Sequence, residues 1–130
     1  MNTMKKHNIF LILGLFTLLF SGCKYDFIIP EEVPVVDNGG QPISFANQIA
    51  PIFSNGDKCT SCHKTGGMGT PDFSNSGTVY SLIVPKLVDT SSPESSKIYV
   101  NASSGTHYAK VSATEAALIL TWIKEGTKNN

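Results

Sequence analysis

From Ser44 to Phe53, "SFANQIAPIF", the apolar residues Phe45, Ile49, Ile52 and Phe53 fall at i, i+4, i+7 and i+8, the spacing that lines one face of a helix. Ser44 stands where a side-chain oxygen can cap the first turn. Pro51 lies inside the stripe and removes an amide donor, so the pattern predicts a kink there or a second short helix opening at Pro51. Near the other end, "VSATEAALILTWIKEG" places Ala116, Ile119, Leu120 and Ile123 on one face, with Ser112 and Glu115 in capping-box spacing and Gly126 as a stop. Between these, "TVYSLIV" predicts a short helix, and "SSPESSKIYV" predicts one with Ser92 as N-cap and Pro93 at its first position. No segment alternates apolar and polar residues convincingly, and there is no repeat. The pattern is that of an all-α fold of short helices joined by long loops rich in Gly, Ser, Thr and Pro.

The first 23 residues follow a different logic. Lys5 and Lys6 precede an uncharged run, Ile9 to Phe20, which leads into Ser21 and Gly22, the layout of an export leader. The run is too short to span a bilayer, which takes about 20 apolar residues. The ending "LLFSGC" resembles a bacterial lipoprotein signal. That resemblance implies cleavage after residue 22 and lipidation of Cys23, with more than one acyl chain, the condition for stable rather than reversible membrane anchoring. It also implies an exported, membrane-anchored lipoprotein facing the periplasm or the cell surface. In residues 24–42, "KYDFIIPEEVPVVDNGGQP", three prolines remove amide donors and Gly39-Gly40 loosens the chain. This predicts an extended linker over residues 23–42 that could reach roughly 60 Å at about 3.1 Å per residue; the alternative is that "FIIPEEVPVV" packs on the domain as an arm.

Charge narrows the partners. Removing the first 22 of 130 residues leaves 108, with Lys plus Arg falling from 10 to 8 against 10 acidic residues, a net charge of −2. No arginine occurs anywhere in the chain. Without a basic patch or a guanidinium fork, nucleic acid is excluded as an expected partner. The compact part, residues 43–130, can bury only a modest core, and domains of that size commonly depend on a disulfide, a metal or a cofactor.

Candidate chemistry sits in "DKCTSCHKTGG", where Cys59, Cys62 and His63 form a C-x-x-C-H motif. In covalent haem attachment this spacing lets two thiols on one turn reach two vinyl groups while the adjacent imidazole comes under the iron. A structural zinc site would instead draw on Cys59, Cys62, His63 and His107, although sequence-adjacent Cys62 and His63 approach one tetrahedral ion awkwardly. A thioredoxin-like dithiol would want a βαβ context, and none is visible. One motif allows one haem, which excludes a dihaem peroxidase.

Taken together, "ISFANQIAPIFSNGDKCTSCHKTGG", "TPDFS" and "LILTWIKEGTKNN" resemble a class I cytochrome c domain of the small bacterial monohaem type, over residues 43–130. The resemblance implies a cytochrome c-like fold in which the first and last helices cross through Phe45, Ile49, Leu120 and Trp122. It implies one covalent haem c, with His63 as proximal iron ligand and the Pro71 carbonyl accepting the ring N–H of that histidine. The family's usual distal methionine, on a loop before the last helix, is missing. After leader removal the chain retains only Met68, His63 and His107 as such ligands. His107 stands just before the capped helix, where the family's distal ligand sits, and is the expected sixth ligand; Met68 or an open site are the alternatives. Two imidazoles would make a low-potential carrier. The implied function is non-enzymatic: a monomeric, membrane-tethered cytochrome passing single electrons between redox protein partners. The alternatives are a haem-based module that binds or senses a small ligand at an open distal site, and a docking piece of a larger complex with a structural haem.

Overall fold

The computed structural model of the protein describes residues 34–130; the expected leader, Cys23 and the linker up to residue 33 lie outside the described residues. Among the described residues the chain is helical and has no strand, as the apolar periodicities predict. A π-helical turn, Phe45–Ile49, runs directly into helix α1, Ala50–Ser54. Ser44 caps it, its hydroxyl accepting the Asn47 N–H at 3.3 Å. The change of register has its cause in Pro51. The Ala50 N–H reaches back five residues to the Phe45 carbonyl, and Pro51 has no N–H to continue that pattern. The chain therefore restarts as α1 with proline in its first turn, where no amide is needed.

Helices α2 (Asp57–Thr60), α3 (Ser76–Leu87), α4 (Lys97–Ser103) and α5 (Ala113–Lys124) follow. Helix α3 extends beyond "TVYSLIV" at both ends; it starts two residues earlier, at Ser76, where Asn75 caps it by accepting the Gly77 N–H at 3.0 Å. The Pro93 prediction needs correction: Pro93–Ser95 forms only a 3-10 turn, Ser92 makes no capping bond, and α4 starts at Lys97. Buried Ser96 is the reason. Its hydroxyl accepts from the Asp89 N–H at 2.8 Å and donates to the Asp89 carbonyl at 3.1 Å, which holds the backbone at φ −55°, ψ 126°, outside helix geometry.

Helix α5 matches its sequence signals at both ends. The Ser112 hydroxyl accepts the Glu115 N–H at 3.2 Å while the Glu115 carboxylate accepts the Ser112 N–H at 2.8 Å. At its far end Gly126 takes φ 89°, and the Gly126 and Thr127 N–H groups donate to Ile123 and Trp122, the paired bonds that close a helix through a left-handed glycine.

The π-helical turn packs on α5 with the Phe45 and Trp122 rings 5.2 Å apart, and Tyr80 of α3 meets Phe45 edge-on at 5.1 Å. Ile49, Leu120 and Trp122 are buried. The tail after α5 supplies polar partners to this core: Trp122 Nε1 donates to the Lys128 carbonyl, Tyr80 to the Thr127 carbonyl, and Asn130 accepts the Phe45 and Ala46 amides. Those two amides are donors that a helix start leaves without partners. Residues 34–42 lie against the domain, with Val36 packed on the core and the Asn38 side chain accepting from Gln48 at 3.0 Å. Of the alternative arm, "FIIPEEVPVV", only residues 34–36 are described. On the side away from the tail, α1, α2, α3 and α4 leave a cleft.

Candidate functional site

The Cys59–His63 segment forms one turn. Both the Cys62 and His63 amides donate to the Cys59 carbonyl, at 3.2 and 2.8 Å. Cys59 is half-buried, packs against the core and directs its sulfur to within 3.8 Å of the Ile52 carbonyl. The turn is pinned to α5 by Lys58, whose ammonium lies 2.7 Å from the Glu115 carboxylate. Burial pushes the Glu115 carboxyl up, but the Lys58 and Ser112 hydrogen bonds outweigh it and hold the group below the ordinary carboxylate range. Burial, together with the weaker effect of Glu115, pushes the Cys59 thiol up against the pull of Lys58 and Lys110. Neither Cys59 nor Cys62 is in a disulfide.

His63 is the most closely supported side chain of the site. Its Nδ1 lies 2.8 Å from the Pro71 carbonyl. An imidazole that donates from Nδ1 presents the lone pair of Nε2, the tautomer a metal ligand requires. Phe73 stacks on the ring at 5.0 Å, backed by Phe53 at 5.3 Å. The loop between is closed by Asp72, whose carboxylate accepts from Ser74 and Thr65 and is held below its ordinary pKa chiefly by the Ser74 hydroxyl. Gly69 fits over the ring because it has no side chain: a Cβ there would stand 2.9–3.0 Å from three ring atoms of His63. Gly69→Ala is therefore expected to displace the imidazole from Pro71 and to destabilise the domain by about 1–3 kcal/mol, the usual cost of overpacking. Urea unfolding checks this; an unchanged midpoint would mean that the loop yields without cost.

His107 lies on the loop after α4. Its amide donates to the Asn101 carbonyl at 3.2 Å, and its Nδ1 lies 2.8 Å from the Thr106 hydroxyl. The His63 and His107 rings stand 5.9 Å apart between centroids, at 56°. The cleft that holds them is lined also by Phe53, Cys59, Leu87, Ile98 and Val111, and measures about 160 Å³. Cys62 is exposed and is not part of this lining. Met68 is 94% exposed and also outside it.

Imidazole–metal bonds run at about 2.0–2.1 Å, and the 5.9 Å spacing of the ring centres leaves room for both imidazoles to reach one ion, with a thiol at the wall of a largely apolar cleft. Among the described residues no three His, Cys, Asp or Glu side chains gather as a metal cluster. Sequence reasoning reached Cys59, Cys62, His63, Pro71 and His107 but missed Gly69, Phe73, Asn101 and Thr106. Only Thr106, adjacent to the candidate ligand, carried a local hint. No family model matches the chain, and no curated protein or solved structure is found to be similar to it.

Proposed function

We propose that this protein is a membrane-anchored carrier of single electrons, in which Cys59 and Cys62 would hold one haem c covalently and His63 and His107 would be its iron ligands. The observation that carries this reading is the pair of imidazoles brought to 5.9 Å, ring centre to ring centre, in one largely apolar cleft with Cys59. Haem, when bound, supplies a reversible one-electron change at iron. The chain's own contribution is positional. Pro71 holds the His63 proton at Nδ1, Phe73 and Gly69 fix the plane of the ring, and Phe53, Leu87 and Ile98 exclude water from the slot. Two imidazoles favour a low potential relative to a methionine-ligated iron, while the apolar lining, which disfavours the more charged oxidised form, offsets part of that effect. Cys23 would carry the lipid that tethers the domain at the periplasmic or outer surface, within reach of redox protein partners.

The test is mass spectrometry of the exported, denatured chain with a pyridine haemochrome spectrum. One haem retained on the denatured chain, and acyl label lost in Cys23→Ser, are the expected results. Haem that leaves in acid and organic solvent would remove the covalent reading, and label surviving in Cys23→Ser would remove the anchor. A second reading, a module that binds a small ligand at iron, is favoured by the exposure of His107 on a loop. Prompt carbon monoxide binding by the reduced protein would select it.

A further inference from the structure

The two facing imidazoles are held very differently. His63 is half-buried, bonded to a carbonyl, stacked on Phe73 and covered by Gly69. His107 is exposed, and its ring is met by the Thr106 hydroxyl at 2.8 Å. The backbone beneath it is tied to α4 by the His107 amide on the Asn101 carbonyl and by Gly105, whose amide donates to Val100 at 2.7 Å. These ties place the loop but leave rotation of the ring to Thr106.

Resting on the reading of His107 as distal ligand, we propose that Thr106 is a positioning residue: its hydroxyl latches the His107 ring and sets how readily a small neutral molecule of the carbon monoxide class takes that ligand's place. With Nε2 as the ligating atom, the ring proton sits on Nδ1, so Nδ1 donates and the Thr106 oxygen accepts. That bond fixes the turn of the ring and increases electron donation from Nε2. A hydroxyl is a weaker acceptor than the Pro71 carbonyl, which makes His107 the exchangeable ligand and His63 the fixed one. The walls beside His107 are Ile98, Ala102 and Val111, with the Asn101 amide close by. Such a lining admits an uncharged diatomic and carries no cationic side chain to pair with an anion.

Thr106→Val keeps the shape and removes the hydroxyl, while Thr106→Ser keeps the hydroxyl. Both are made in the full-length, haem-loaded chain, and carbon monoxide association with the reduced protein is followed together with the midpoint potential. Loss of one net hydrogen bond is expected to raise the Val variant's carbon monoxide association by about 2- to 13-fold and to raise its potential. The Ser variant should restore both. Covalent haem content and the urea midpoint should stay at the parent values, because Thr106 is exposed. If Val leaves rate and potential unchanged while His107→Ala alters both, the latch is wrong and the distal ligand stands. If Ser behaves like Val, the hydroxyl is not the cause and the proposal falls. If His107→Ala alters neither quantity, the distal reading falls and takes the latch with it.

Discussion

Replacing both Cys59 and Cys62 by Ala is expected to leave no haem on the denatured chain and to yield a domain that unfolds in much less urea than the parent. The first outcome follows from bond count: on the proposed reading, in which Cys23 carries lipid, these are the two thiols left for attachment. The second follows from the cleft. It measures about 160 Å³, and at about 24 cal/mol per Å³ a dry void of that size costs up to roughly 4 kcal/mol. Native domains hold only about 5–15 kcal/mol in all, and one this small belongs at the low end. The single variants should differ. Cys59 packs on the core and lines the cleft, whereas Cys62 is exposed, so Cys59→Ala should cost more stability. Haem staining after denaturing electrophoresis and a urea titration check both statements. A double variant with the parent's haem stain would show that attachment uses other chemistry.

The elements that were legible in the sequence are those whose signals are local. Ser112, Glu115 and Gly126 act within one turn of themselves, and α5 begins and ends where they dictate. Pro51 likewise acts on its own amide and breaks the first helix in the expected place. Pro93 was misleading because a proline sets only its own backbone angle; the outcome there was decided by Ser96 bonding to Asp89, seven residues away. In the same way Pro71 was legible from its distance to His63, but Gly69 was not. Its role depends on a ring folded over it, which no spacing announces. The caps that Asn130 gives to Phe45 and Ala46 span 84 residues or more and have no sequence signature at all.

The distal side was legible only by position and elimination, and there the structure adds geometry. Met68 carries the remaining thioether but is turned to solvent, while His107, 44 residues beyond His63, returns to face it because α4 and its following loop fold back over the cleft. The His63 ring is half-buried and the His107 ring is exposed, so the two side chains should respond differently to replacement.

His107→Ala is expected to give the largest spectroscopic change of any single substitution that spares the attachment site. The oxidised protein should pass from low-spin to high-spin, and neither oxidation state should carry the charge-transfer band of a methionine sulfur. Where the ring occupies its position about 99% of the time, the apparent affinity for an external ligand is lowered about 100-fold, so the variant's reduced form should bind carbon monoxide about 100-fold more tightly. Covalent haem should remain, because Cys59, Cys62, His63 and the Pro71 bond are untouched. Stability should fall little, since the removed ring is exposed and its hydrogen bond goes to an exposed hydroxyl. His107→Met should raise the potential wherever the loop lets sulfur reach iron, because a thioether stabilises the reduced metal relative to imidazole. An oxidised spectrum identical to the parent's in His107→Ala would assign the sixth position to another group, and Met68→Leu would then be the variant to measure.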